Sequence, residues 1–412
     1  MKERLWVKPL GACLLSLLSI VLASCIDQSD FAKNLPEVSL DSVEVFLQIL
    51  TGGMLAIATF AVGAMVSAYG SASSTATPRS FSVVISDDIS QNALSVFIAS
   101  FIFSVVGLVS LKNGLLDGPG RTVLFGLCIY VYVLVIYSFV KWVDRIARLG
   151  RLGTTIASVE KATQLSFKRR CTHPYLKAQP LDESKPAEGT PVFSHKVGNI
   201  QRVDIQALQH LAEETDCQIS VLCLPGQYAS PHLALAKVSG EKAQDPEFDF
   251  ERILKAFEIG KDRIFDEDPR FGLIVLSEIA GKAMSPAIND PGTAIDVMAS
   301  LHRLLDAWGA GSEADETEAQ YDRIFVPGIK VSDLFEDAFR SLARDAASCV
   351  EVLIRMQTVL GALHHNHDAE FKSATYFQAK DVMARAELEM KYQPDLEAVK
   401  KAHQTHFQTE RS

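Results

Sequence analysis

Uncharged apolar runs dominate the first third of the chain and then end: residues 9–26, 45–77, 93–111 and 122–140. About 20 apolar residues let an α-helix cross the hydrocarbon core, where lipid offers the backbone no hydrogen-bond partner. The pattern predicts four transmembrane helices. The second run is longer than a bilayer requires, so its membrane part is placed at about 45–70, and the Ser/Thr-rich end 71–77 tilts or runs on into water.

Past residue 142 charge returns and the period changes. Residues 151–167 keep helical spacing through Leu152, Ile156, Val159 and Leu165, and Lys168, Arg169 and Arg170 follow. This reads as a juxtamembrane helix, either held by anionic lipid or simply solvated. Residues 174–191 read as an irregular Pro/Gly linker. Between 191 and 240 the period shortens: strands are expected at 197–203, 217–224 and 233–238, a helix at 205–213 and a turn at Pro225-Gly226. The arrangement is similar to a small half-barrel of the biotinyl-lipoyl type, without the acidic-Met-Lys turn of a swinging arm. The remainder, 241–412, reads as helical, with Leu334, Phe335, Ala338, Leu342 and Ala346 at core spacing in 331–356, an acidic surface loop at 311–320, and helices to about 402. The fold class is thus a mainly α membrane protein. A four-helix transmembrane region (1–150) leads through a connector (151–190) to an α+β cytoplasmic region, composed of a small β module (191–240) and a helical part (241–412).

Basic residues set the orientation. Lys2, Arg4 and Lys8 precede the first run, five acids against Lys33 fill the next loop, and Lys141, Arg145, Arg148 and Arg151 follow the fourth run. Positive charge stays on the cytoplasmic side, which predicts a multi-pass protein of the bacterial cytoplasmic (inner) membrane with both termini inside. A second reading of the N-terminus is a lipoprotein cleavage site at Leu22-Ala23-Ser24-Cys25. The apolar stretch is longer than the about 7 to 15 residues of a secretory signal, which favours a retained helix.

The formal charge of −10 falls wholly in residues 151–412, because residues 1–150 hold ten acidic and ten basic side chains. That disfavours a nucleic-acid partner. Seven scattered cysteines include no CxxC pair, so reduced thiols are expected and no zinc or redox site. No ionisable side chain lies within the four runs, which argues against a coupled pump. Tyr130, Tyr132, Tyr137 and Trp142 read as lipid-facing or interfacial aromatics.

Ala56, Thr59, Gly63, Ser67, Gly70 and Ser74 recur every three or four residues, which aligns small side chains in one stripe. The first reading is close helix packing. The alternative is a narrow aqueous path around a symmetry axis, lined by hydroxyls. Gly63→Leu or Ser67→Leu is then expected to perturb assembly more than Leu at Ala61, which lies off the stripe.

The strongest motif region begins at Ala256-Phe257-Glu258-Ile259-Gly260 and passes through Arg263, Asp268 and Phe271-Gly272. It ends in Ser285-Pro286-Ala287-Ile288-Asn289-Asp290-Pro291-Gly292-Thr293-Ala294. With the second run ending in Thr77-Pro78-Arg79 and the Pro225-Gly226 segment, these residues resemble the bacterial predicted-membrane-protein family catalogued as domain of unknown function 2254. The resemblance implies the architecture and no activity. The chain departs from the family pattern at Ala287, where glycine is usual and accepts positive φ more readily.

Asp290 is expected to cap a helix whose first turn holds Pro291, so the block predicts two helices joined by a tight polar turn. Its residues are read as structural first. Alternatively Ser285, Asn289, Asp290 and Thr293, with Arg263 and Asp268, are candidates for binding a ligand or gating. Arg263, Asp266, Glu267, Asp268 and Arg270 read as a solvated salt-bridge network before a metal or hydrolytic site. His364, His365 and His367 read as a solvated helix end. The sequence shows no phosphate loop, nucleophile elbow or HExxH, so neither catalysis, a metal nor a cofactor is expected. Two functional classes stand: a homo-oligomeric, channel-like protein with a cytoplasmic regulatory domain, and a non-transporting scaffold or sensor that binds a cytoplasmic protein or small molecule.

Overall fold

The computed structural model describes residues 38–80, 82–83, 88–116, 118–148, 151–182, 184–245, 248–312, 319–365 and 369–407, with a few positions between 10 and 18. It divides into two units, Met1–Thr155 and Ile156–Ser412.

The first unit is built on α1 (Leu40–Thr75), α2 (Asp88–Lys112) and α3 (Gly118–Arg148). Among the described residues these are the 3 helices long and apolar enough to cross a membrane, where the sequence predicts four. The predicted first span, 9–26, falls almost wholly outside the described residues, as does Cys25. α2 is the central helix: 50% of its apolar window is buried within the unit, against 22% for α1 and 17% for α3. Leu47, Leu50, Phe103, Leu124 and Cys128 fill one layer between the helices, and Met54, Ala58, Phe97, Val135 and Trp142 another. α2 also buries Ser95 and Ser104, whose hydroxyls donate to the carbonyls of Gln91 and Phe101 at 2.7 and 2.8 Å. Those internal bonds make a hydroxyl tolerable at membrane depth.

Two expectations change here. Trp142 is not interfacial: it is 1% exposed and edge-on to Phe60 and Phe97, whereas Tyr130, Tyr132 and Tyr137 are exposed. Ala61 is fully buried, one of the α1 residues Met54, Ala58, Ala61 and Met65 that face inward. Leucine there would overpack the protomer itself, so Ala61 is no neutral control for the stripe.

The second unit opens within α4 (Leu152–Thr172), whose apolar face holds Ile156, Val159 and Phe167 buried. Strands β1 (Ala178–Pro180), β2 (Thr190–Phe193), β4 (Gln218–Val221), β6 (Ala234–Ser239) and β8 (Tyr321–Val326) form a mixed sheet of order β1-β8-β4-β6-β2. β8 runs parallel to both neighbours, β1 and β4. β3 (Gly198–Val203) pairs antiparallel with β5 (Tyr228–Ala229) and β7 (Phe257–Gly260) in a second, three-stranded sheet. Period-2 alternation points Ile219, Val221, Leu235 and Ile324 into one core with Leu208 and Leu211 of α5 (Ile205–Thr215).

The strands predicted between 191 and 240 are present, but they do not form a contiguous module or a half-barrel. β1 lies in the predicted linker, and β7 and β8 lie in the stretch read as wholly helical. Only Ile324 and Val326 of β8 are buried, so its period-2 signal is short, which is why β8 reads poorly from sequence.

After the short helix α6 (Phe250–Lys255) and β7, the chain forms α7 (Pro269–Ala283), α8 (Pro291–Ser312), α9 (Val331–Asp345), α10 (Val350–His365), α11 (Ala369–Glu389) and α12 (Gln393–Phe407). The predicted run 331–356 is two helices, broken at 346–349. Leu334, Phe335, Phe339 and Leu342 of α9 are fully buried, each large side chain worth about 1.5–3 kcal/mol of transfer free energy. α4 joins this bundle through the Glu160–Arg303 ion pair at 2.7 Å and the edge-on pair Phe167–Trp308 at 4.9 Å. It approaches α7 so closely that a Cβ on Gly272 would overlap the Thr163 hydroxyl. Most of the predicted acidic loop, 313–318, lies outside the described residues.

Candidate functional site

Residues 261–268 link β7 to α7, and the neighbouring strand pins them. Asn199 and Gln201 of β3 donate side-chain amide hydrogens to the carbonyls of Lys261 and Asp262, both at 2.7 Å. Asp268, 2% exposed, then caps α7 by accepting from the Phe271 N–H at 3.2 Å, while Pro269 fills the first turn.

Arg263 grips the same carboxylate with two bonds, Nε to Oδ2 at 2.6 Å and Nη2 to Oδ1 at 3.0 Å. Its guanidinium also lies 5.4 Å from the centre of the Phe271 ring, a cation–π contact. Gly226, at φ +91°, closes the opposite side, and a Cβ there would overlap the Asp268 carboxylate. The Pro225-Gly226 turn therefore needs glycine for both its φ and its lack of a side chain.

Arg270 extends the network to α9, with Nη1 2.5 Å from Asp333 and Nε 2.6 Å from Asp337. Burial lowers the Arg270 pKa, yet the hydrogen bond to Asp337 and the nearby carboxylates outweigh it and raise the guanidinium above its ordinary value. Burial pushes the Asp337 carboxyl up, with Arg270 opposing.

The charges expected to be solvated are thus largely enclosed. Beside them lies a cavity of about 460 Å³, walled by Leu222, Leu224, Pro225 and Ile329 together with Arg263, Asp268, Arg270 and Lys330. Both Asp268 oxygens are occupied by Arg263, and one also caps α7, so the carboxylate has a structural task. The wall suits binding better than proton transfer.

The other candidates sit at the far end of α7. Ser285 accepts at its carbonyl from the N–H groups of Ile288 and Asn289 at 3.0 and 2.8 Å, and the Asp290 N–H reaches the Ala283 carbonyl at 2.8 Å. Asn289, not Ala287, takes the left-handed conformation, at φ +47°. Asp290 caps α8 through the Thr293 N–H at 3.1 Å and the Thr293 hydroxyl at 2.7 Å, and these bonds hold its carboxyl below the ordinary range.

The polar turn is exposed. The 15 residues of α7 rise about 22 Å at 1.5 Å each, so this turn and the Arg263–Asp268 pair are separate places. The structure brings Arg263 to Asp268 and Thr293 to Asp290, and does not join the two pairs. Sequence reasoning missed Asp268 as a cap, although Asp268-Pro269 repeats the Asp290-Pro291 pattern, and it missed the Arg270 link to α9. His364 is buried, not solvated, with Nδ1 2.9 Å from the Thr375 hydroxyl; His367 lies outside the described residues.

The stripe on α1 is exposed within its unit at Ala56, Thr59, Gly63, Ser67 and Gly70, and a Cβ added at Gly63 or Gly70 would meet nothing within 4 Å. The Ser74 side chain is outside the described residues. Among the described residues no three His, Cys, Asp or Glu side chains are grouped to hold a metal ion.

A family model described as predicted membrane protein, domain of unknown function 2254, matches residues 2–362. The chain belongs to this family. The match to this predicted-membrane-protein family takes in all three apolar helices, both sheets and the bundle into α10. An uncharacterized protein of Mycobacterium bovis is 35% identical over 121 residues, and one of Mycobacterium tuberculosis (strain CDC 1551 / Oshkosh) is 34% identical over the same length. Each match covers 29% of this chain and 23% of the relative, so the chain spans under a quarter of the mycobacterial proteins it matches. No solved structure matches the chain.

Proposed function

We propose that this membrane protein self-associates in the bacterial inner membrane through the small-residue face of α1, forming a channel-like assembly regulated by its C-terminal unit. One observation carries the reading: α1 turns Met54, Ala58, Ala61 and Met65 inward and leaves Ala56, Thr59, Gly63, Ser67 and Gly70 uncovered. Small side chains gain little dispersion from lipid but allow another backbone close. A second copy of α1 offers the same surface, and a two-fold axis pairs like with like. Thr59 already donates to the Leu55 carbonyl at 2.8 Å, which leaves its oxygen available as an acceptor beside such an axis.

The cavity beside Arg263 and Asp268 in the C-terminal unit favours a second reading, a non-transporting sensor that binds a small ligand. Both readings are non-enzymatic and place Lys141, Arg145 and Arg148, at the end of α3, on the cytoplasmic side.

Gly63→Leu tests the first reading, with the lipid-facing Val62→Leu as its control. Native mass spectrometry from detergent should show oligomers that Gly63→Leu dissociates and Val62→Leu keeps. Reconstituted wild type should carry an ion flux. An unchanged oligomer in Gly63→Leu, with no flux in wild type, would leave the sensor reading.

A further inference from the structure

The second cavity, about 360 Å³, lies beside the 261–268 segment and is built on the last turns of α4. Ser166, Arg169 and Arg170 line it from one face of α4, and His173 continues that spacing just past the end of the helix. Arg170 is 4% exposed, and burial lowers its guanidinium pKa to about 10 against the pull of Glu267 and Asp268. Yet its hydrogen bonds among the described residues are two long ones, to the carbonyls of Glu267 at 3.4 Å and Pro174 at 3.5 Å. One turn earlier Ser166 is buried, and its hydroxyl has no hydrogen-bond partner among the described residues.

A buried hydroxyl and a buried guanidinium are costly when underused, and the residues that carry them, Ser166 and Arg170, both line this cavity. Arg202 of β3 and Lys177 add positive charge at its wall. Leu176 and Lys177 both hold left-handed backbone, at φ 55° and 66°, a conformation that L-residues adopt at a cost.

The acids at this wall offset part of that charge, Glu267 through an ion pair with Arg202 at 3.8 Å. Asp204 is taken as the cap of α5, accepting from the Ala207 N–H at 3.0 Å. Burial raises the Glu267 carboxyl above its ordinary range, so it accepts a proton more readily, with Arg202, Arg170 and Arg169 opposing. Asp266 remains at the rim, where its carbonyl accepts from Arg169 at 2.9 Å.

We propose that this cavity binds a phosphate-bearing anion, held by Ser166, Arg169, Arg170 and Arg202. Guanidinium groups converging with a hydroxyl offer more donors than the two oxygens of a carboxylate can use, and a phosphate group has acceptors for them. The volume reaches the range of small-molecule sites, roughly 300–1,000 Å³, so the phosphate carries a further group that the Ile205 and Tyr321 side of the cavity can contact. The inference does not depend on self-association: it names a ligand for the C-terminal unit whether that unit regulates a channel or acts as a sensor.

The test uses the full chain in phosphatidylcholine nanodiscs, titrated calorimetrically with pyrophosphate and with AMP, and compared by thermal melting with nanodiscs containing phosphatidylglycerol. Saturable binding or stabilisation by one of these is expected. Arg202→Gln should weaken it about tenfold or more, the size of one charge-assisted hydrogen bond. Ser166→Ala should weaken it without lowering the unliganded melting temperature, because it deletes a hydroxyl that has no partner. Glu267→Gln, which removes an anion from the wall, should tighten it. Response to the soluble probes identifies a free phosphorylated ligand, and response to phosphatidylglycerol alone identifies a lipid headgroup. Affinity unchanged in both Arg202→Gln and Ser166→Ala, or no saturable response to any of the three probes, would overturn the assignment.

Discussion

Two aspartates, each followed by proline, start neighbouring helices but work in different surroundings. Asp268 is buried under Gly226 and paired with Arg263, whereas Asp290 is exposed and its carboxylate accepts from its own first turn. Asp290→Ala should cost about 1 kcal/mol, the usual value of a lost cap. Asp268→Ala should cost about 3 kcal/mol or more, since it also strips the partner from a largely buried guanidinium. Thermal melting of the purified protein ranks the two, and equal losses would contradict the buried-pair account. Glu267 makes a pH prediction. Its folded carboxyl is raised by burial above the unfolded value of about 4.3, so the folded state binds the proton first and the charged form costs stability at neutral pH. Glu267→Gln should melt higher than wild type at pH 7, with the gap closing as the pH falls through the raised folded value towards about 4. A gap that widens on acidification would reverse the sign of the shift.

Helices α4 and α7 meet where Gly272 faces Thr163, and that contact sets how far the α4 face reaches into the helical core. Gly272→Ala puts a methyl onto the Thr163 hydroxyl and should destabilise by about 1–3 kcal/mol, the range for overpacking. Thr163→Ala removes the hydroxyl and methyl from the contact but leaves Cβ, so the double variant should recover only part of the loss in a double-mutant cycle. Additive losses would place the strain elsewhere. The element pattern itself was largely legible. Runs of uncharged residues marked α1, α2 and α3, and 3.6-residue spacing marked α4, α5 and α9. Legibility failed at β8, whose pairing depends on strands about a hundred residues away, and at β1, which is three residues long.

At the scale of the molecule, the excess negative charge belongs to the C-terminal region and the basic clusters flank the apolar helices. Reporter fusions after Lys141 and after Ser412 should both report the cytoplasm, and a periplasmic signal from either would reverse the proposed orientation.

The sequence alone determined that this is a membrane protein, where three of its four predicted apolar helices lie, and that Asp290-Pro291 starts a helix, because lipid solvation, periodicity and capping act over a few neighbouring residues. Its small-residue stripe was equally plain. Tertiary structure decided which side of α1 the stripe faces, since that depends on how α2 fills the opposite face. It also decided that Asp268 is enclosed, by bringing Gly226 from 42 residues earlier and Arg263 from the adjoining loop onto one carboxylate. The basic cavity was hidden for the same reason. Arg170, Arg202 and Glu267 come from a helix, a strand and a loop, and their shared burial exists only once the chain between them has folded.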